Sequence, residues 1–294
     1  MYDNITIIIV TFNANLNILN RCLNSIEDQI KILIIDNSSN LDLSKINNYQ
    51  NKKITIIKNV NHGNGDGINV GANLAQTQYI LYLDVDTELS SNFMPKLKKY
   101  INEIKDFAII GPTLKNYTYK KEDYKHNKIT DTTYSEMNFI QGAVMLINKS
   151  NTYSKNIKFD KNIFLYWEEV DFFQQCLMNK QKIFLIKDLN AYHEGGKSID
   201  KMEYLDIELN RHWHYMWSKF YYYKKNFGIF IAYKKTLKHM LSALIKFPLY
   251  FLIFNKKNKI YRERISGLFN AYTGKPSWRR PKLNRGEINI RYLY

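Results

Sequence analysis

Residues 5–10 form an unbroken run of β-branched side chains, the pattern of a strand covered on both faces. Apolar positions three and four apart over residues 16–26 predict a helix. Residues 31–35, 54–58 and 79–83 read as three further buried strands. Between the last two, residues 61–71 are rich in Gly and Asn and lead into a helix ending at Leu74. Strands alternating with helices in this way predict βαβ units on a mostly parallel sheet. Right-handed crossovers gather the C-terminal strand ends on one edge, where ligands of open α/β sheets bind. The polar clusters 11–13, 36–39, 61–67 and 84–86 are all expected on that edge.

The second half is less regular. Residues 115–133 are charged and aromatic and read as a surface excursion. Residues 139–147 predict a strand carrying Gln141-Gly142-Ala143, and residues 164–171 turn into a helix running to about position 179. Residues 183–186 predict another strand, with Tyr192-His193-Glu194-Gly195-Gly196 after it. From position 206 the pattern changes. Trp213, Trp217, Tyr221, Tyr222, Tyr223 and Phe227 alternate with Lys and His, and long apolar stretches follow between lysines. The longest uncharged run there, residues 247–255, contains Pro248 and is shorter than the roughly 20 residues a spanning helix needs. An interfacial helix with basic flanks is the expected alternative to a helical subdomain packed on the core. The expected division is a catalytic domain over residues 1–205 and a helical extension over 206–294.

The 294 residues suffice for one large α/β domain and an appendage. Lys and Arg outnumber Asp and Glu by 43 to 27, and that surplus points to a polyanionic partner: nucleic acid, a phosphorylated ligand or an anionic membrane. The two cysteines, Cys22 and Cys176, have no ligand spacing, so neither a disulfide framework nor a zinc site is expected, which fits a reducing compartment. No basic segment followed by an apolar run and a cleavage site opens the chain, so a cytoplasmic catalytic part is expected.

Asp84-Val85-Asp86 puts two carboxylates at a strand end, able to face one divalent cation beside a phosphate; an exposed acidic turn is the plain alternative. Asp36 can accept from a base or ribose, or close an Asx turn. The alternating glycines of Asn61-His62-Gly63-Asn64-Gly65-Asp66-Gly67 allow backbone N–H groups to approach a phosphate, or form a turn; they match neither a P-loop nor a dinucleotide fingerprint. Glu168, Glu169 and Asp171 open a helix beside Tyr166 and Trp167, which suits either helix-dipole capping or a base next to an aromatic sugar platform. His193 can complete a metal site with Asp86.

These elements, in this order over about residues 5–195, resemble the family 2 glycosyltransferases of the GT-A fold, and among them the rhamnosyltransferase-like and galactofuranosyltransferase-like group. The matching residues are Val10-Thr11-Phe12-Asn13, Ile35-Asp36-Asn37-Ser38-Ser39, the 61–73 glycine segment, Leu83-Asp84-Val85-Asp86, Gln141-Gly142-Ala143, the stretch from Tyr166 to Asp171, and His193. The resemblance implies a nucleotide-sugar donor, UDP- or dTDP-linked, held by Thr11, Asn13, Asp36, Asn61, Gly65, Asn69, Asp84, Val85, Gly142, Ala143 and Trp167. It implies Mn²⁺ or Mg²⁺ on Asp84, Asp86 and His193. It implies catalysis by Glu169 with Glu168 and Asp171, by inversion. Glu-Glu stands where relatives have Glu-Asp or Asp-Asp, and Asp84-Val85-Asp86 where many have Asn-Pro-Asp.

With the basic, aromatic C-terminal part, this predicts a lipid-linked or cell-surface glycan acceptor, an anionic membrane partner on the cytoplasmic leaflet, and no nucleic acid. Arg279, Arg280 and Arg285 are alternative pyrophosphate contacts. A nucleotidyltransferase would carry its Gly-rich loop directly after the first strand, where this chain has Thr11-Phe12-Asn13. A catalytically inactive sugar- or nucleotide-binding relative is the other alternative.

Overall fold

The computed structural model describes residues 3–38, 40–46, 49–125, 132–195, 204–255 and 257–281. The chain divides into two compact units, Met1–Ile199 and Asp200–Tyr294.

The first unit is a mixed sheet between two helical layers. Strands β1 (Ile5–Thr11), β2 (Lys31–Asp36), β3 (Lys53–Lys58) and β4 (Tyr79–Leu83) are parallel neighbours in the order β3-β2-β1-β4. The sheet continues through β8 (Val144–Asn148), β6 (Ile109–Leu114) and β9 (Ile183–His193) to β5 (Thr87–Leu89), while β7 (Tyr134–Met137) pairs with β9. Among the described residues, β8, β5 and β7 run against the common direction. Every residue of β1 is buried: Ile7 and Ile9 join the core on one face, Ile8 and Val10 the core on the other. That two-sided cover is why the strand reads as a continuous apolar run.

Helices α1 (Leu16–Asn24) and α3 (Phe93–Glu103) cover the first face with Leu19, Leu23, Phe93 and Leu97. Helices α2 (Asn64–Leu74) and α4 (Glu168–Met178) cover the second with Ile68, Ala72, Phe172 and Phe173. Asn15 caps α1, its side-chain oxygen accepting from Asn17 N and Ile18 N.

Two expected strands have other limits. Gln141-Gly142-Ala143 precede β8 in a turn, because only residues 144–148 pair with β4. β9 runs past position 186 to His193, its register with β6 shifting between Pro112 and Thr113, so His193 ends a strand and does not follow one.

The described residues of the second unit form α5 (Tyr204–Phe227), α6 (Ile229–Leu252) and α7 (Lys257–Tyr272). Its core joins Trp213, Trp217 and Phe220 of α5 to Ala232 of α6 and Leu268 of α7. Gly267 permits the close approach of α7 to α5: a Cβ there would lie 2.4 Å from the Trp213 carbonyl oxygen. Arg279 is committed to an ion pair with buried Glu263 at 2.8 Å, and so is not a free pyrophosphate ligand. Arg280 donates to the Ser277 and Arg279 carbonyls, while Arg285 lies outside the described residues.

Candidate active site

Two backbone ladders build the site. β4 ends at Leu83, opposite Val144, and the Asp84 N–H donates to the Ala143 carbonyl at 2.8 Å. This carries the Gln141–Ala143 turn alongside the Asp84-Val85-Asp86 segment. β5 then starts at Thr87, directly opposite His193, and the Glu194 N–H donates to the Asp86 carbonyl at 2.9 Å. Residues about 60 and over 100 positions apart are thereby set side by side by main-chain pairing, which fixes position better than a free loop does.

His193 Nε2 lies 3.2 Å from Asp86 Oδ1 and 3.6 Å from Asp84 Oδ2. One donor atom from each of the three residues falls within a 4.8 Å group. Two carboxylates and one imidazole fit a divalent cation, and the nitrogen donor favours Mn²⁺ over the harder Mg²⁺. Burial and the crowd of like charges push the Asp84 carboxyl up to about 7, against the pull of His193. Burial works to lower the His193 imidazole, but its hydrogen bond to Asp86 and the charges of Asp84, Asp86 and Glu169 leave it raised. Repulsion among these groups is what a bound cation relieves.

The acidic pair opening α4 meets this group. Glu169 lies against Gly142: a Cβ there would come 2.4 Å from Glu169 Cγ. Its charge reaches His193, Asp84 and Tyr82. Its own carboxyl is raised by burial and restrained by a backbone hydrogen bond and by His193. Glu168 is only 2% exposed. Burial and then the Glu169 charge raise its carboxyl well above the usual range, Asn64 hydrogen-bonds to it, and Oε2 finds no partner among the described residues. The two residues before the helix, Tyr166 and Trp167, hold φ of 61° and 71°, a left-handed pair rare for aromatic side chains.

Sequence reading missed Tyr82 and Asn64. The Tyr82 hydroxyl donates to Asp84 Oδ1 and accepts from Asn64 Nδ2 at 3.0 Å. The signal was present: a tyrosine two residues before Asp84 shares its face of β4, and a buried phenol needs a partner.

Residues 6–185 match the sequence family described as Glycosyl transferase family 2. The chain belongs to that family. This glycosyltransferase is 26% identical over 253 residues to a Methanocaldococcus jannaschii protein named as an uncharacterized glycosyltransferase, covering 74% of the chain and 85% of the relative. It is 22% identical over 277 residues to the dTDP-rhamnosyl transferase RfbF of Shigella flexneri, covering 88% of the chain and 92% of the relative. Its fold is the GT-A fold. The mannosyltransferase PcManGT of Pyrobaculum calidifontis, solved with GDP-Man and Mn²⁺, superposes with a TM-score of 0.57 at 10% identity, covering 92% of this chain and 88% of that one.

The remaining expected residues of the glycosyltransferase divide into two groups. Thr11, Asn13, Asp36 and Asn61 stand at the C-terminal rim of β1 to β3, where Asp36 also organises its own loop. It is fully buried and accepts from the Thr11 hydroxyl at 3.0 Å, the Ser38 N–H at 3.1 Å and the Leu41 N–H at 2.7 Å. The structure thus gives it the Asx-turn role that holds Asn13, whose φ is 45° and whose side chain accepts from Asn40. Asn61 accepts from the Gly63 N–H, Val85 is buried, and Ser39 lies outside the described residues.

Gly65, Asn69 and Asp171 turn inward. A Cβ at Gly65 would lie 2.9 Å from Phe159 Cβ, so the missing side chain there lets α2 pack against Phe159. Asn69 donates to the Phe159 carbonyl at 2.9 Å and accepts from the Tyr153 hydroxyl at 3.0 Å, tying residues 153–159 to α2. Asp171 is fully buried and accepts from Gln175 one turn on.

Proposed function

We propose that this glycosyltransferase inverts the anomeric centre of a nucleotide-linked sugar, dTDP-rhamnose or a UDP-sugar, while moving it to a lipid-linked or cell-surface glycan on a cytoplasmic membrane face. The observation that carries this reading is the meeting of the Asp84, Asp86 and His193 donors with the Glu168-Glu169 pair at one rim of the sheet. The dTDP-rhamnosyl transferase among its relatives supports the first donor.

Glu169 takes the proton of an acceptor hydroxyl as that oxygen attacks the anomeric carbon; the bond to the nucleoside diphosphate breaks on the opposite face. A raised carboxyl is a better base near neutral pH than an ordinary one. Glu168 is the poorer base because deeper burial keeps it protonated, which suits it to donate a hydrogen bond to a sugar oxygen. Asp84, Asp86 and His193 would hold Mn²⁺ or Mg²⁺, which supplies charge to offset that growing on the leaving diphosphate. Thr11, Asn13 and the Asp36 turn shape the nucleoside end. Tyr166 and Trp167 present ring faces to the acceptor, their strained backbone being the kind of feature retained at working sites.

A panel of nucleotide-sugars with Mn²⁺, read by thermal shift and then by product NMR, tests donor and stereochemistry together. Glu169→Gln is expected to lower kcat about 10²–10⁴-fold with donor binding kept. Retention of most of kcat in that variant removes Glu169 from the role of base.

A further inference from the structure

The 54 residues from 209 to 262 contain no Asp or Glu and twelve Lys or Arg. Helix α6 lies wholly within that stretch. One side of it is packed: Ala232, Thr236 and Ala243 are buried. The opposite side exposes Phe230, Leu237, Leu241, Leu244, Ile245 and Leu252, separated by seven, four, three, one and seven residues, which is a single stripe at 3.6 residues per turn. Phe230 is 86% exposed, Leu252 is 70%, and Phe254, just past the helix, is 95%. Twenty-four residues make a rod about 36 Å long, yet no helix among the described residues is long and apolar enough to cross a membrane.

We propose that α6 lies in the plane of an anionic bilayer surface, with this stripe among the upper acyl carbons and its lysines at the phosphates. Lys234, Lys235, Lys238 and Lys246 are exposed on the same helix, and Lys246 and Lys257 rest on Tyr261 and Tyr250 with ammonium-to-ring distances of 5.6 and 5.9 Å. Lys235 and Lys246 border the stripe, Lys238 sits at its edge and Lys234 falls within it, four residues after Phe230 and three before Leu237. Such long cationic stems lie along apolar surface while their ammonium groups reach outward, and with aromatic rings beside them they are the composition of an interfacial helix.

Charge separates the bilayer from other occupants. A second copy would bring the same acid-free helix against itself, with no carboxylate to pair. A nucleic acid would satisfy the lysines and leave the leucines in water. An anionic lipid surface answers both halves of the pattern. The inference adds a place of work to the lipid-linked acceptor proposed above, and its test reads no sugar transfer, so either can fail alone.

The test is flotation of the full chain with vesicles of phosphatidylcholine alone or with about a third phosphatidylglycerol, compared with Leu237→Gln/Leu241→Gln and Lys234→Gln/Lys238→Gln proteins. Both pairs are exposed, so the fold tolerates the changes. The full chain is expected to float with anionic vesicles only. The leucine pair is expected to lower the partition coefficient tenfold or more even at low salt. The lysine pair is expected to lower it several-fold, with a weaker salt dependence than the parent chain. The proposal is overturned if the parent chain stays in the aqueous fraction or the leucine pair binds as well as the parent. It is equally overturned if sedimentation without lipid shows a dimer that the leucine substitutions abolish, since a second copy would then cover the stripe.

Discussion

Alanine at position 142 adds one methyl group, and the structure states what it meets. The new Cβ would lie 2.4 Å from Glu169 Cγ, 3.0 Å from its Cβ and 3.1 Å from its Cδ. Ordinary carbon contacts need about 3.5–4.0 Å, so the Glu169 side chain must move by roughly 1 Å or more. The misplaced group is the proposed base, and a shift of that size costs on the order of 10² in rate. The ceiling is the whole contribution of proton transfer, about 10²–10⁴-fold.

Gly142→Ala is therefore expected to lower kcat about a hundredfold, with donor KM and Mn²⁺ affinity near those of the parent. Overpacking is expected to lower stability by about 1–3 kcal/mol. Steady-state kinetics with saturating donor measures the first effect, and thermal denaturation the second. The decisive comparison is the cycle with Glu169→Gln: once the base is gone, the methyl group has nothing catalytic to disturb, so the double variant should match Glu169→Gln alone. A Gly142→Ala protein within threefold of the parent kcat would falsify the argument, as would a full hundredfold further loss on top of Glu169→Gln.

Mn²⁺ must displace the proton that Asp84 keeps up to about pH 7, so apparent affinity should fall about tenfold from pH 8 to pH 6 for that group alone, and further for the raised His193; a flat profile by electron paramagnetic resonance titration refutes it. Gly65→Ala is expected to cost about 1–3 kcal/mol of stability through the clash with Phe159 while the folded fraction binds donor normally, and a selective loss of donor affinity would return Gly65 to a phosphate cradle. His214 is fully buried and its imidazole is pushed down to about 3, with Arg280 and Arg279 adding to burial. Between pH 6.5 and 3 it is neutral when folded but protonated when unfolded, so the second unit should lose stability as pH falls through that window, by about 2 kcal/mol at pH 5. Denaturant melts of His214→Gln should lack that slope, and an unchanged slope sinks the assignment.

The parallel half of the sheet was legible because strands covered on both sides advertise themselves: β1, β2 and β4 are dominated by Ile, Leu and Val and give way to polar residues at Thr11, Asp36 and Asp84. The strands β5, β6 and β7 were not read. β5 is three residues long, β6 holds Gly111 and Pro112, and β7 alternates burial at an edge, so none presents an apolar run. Acidic residues of the site were legible as types at strand and helix ends. The partners of the inward-turned ones were not. Asn69, Gly65 and Asp171 look like ligand residues in one dimension, but their neighbours, Tyr153, Phe159 and Gln175, are set by packing that no local pattern encodes. Tyr82 failed in the opposite direction, its buried hydroxyl passing for one more core side chain.

The left-handed pair Tyr166-Trp167 has a practical corollary for anyone wishing to engineer a sturdier protein. Each aromatic residue there holds a conformation that glycine adopts freely, at a cost of order 1–3 kcal/mol apiece. Screens that select on heat tolerance alone would be drawn to glycine at these two positions. They would gain degrees of melting temperature while erasing the rings beside the acidic pair, so thermostability and turnover should diverge first at this doublet.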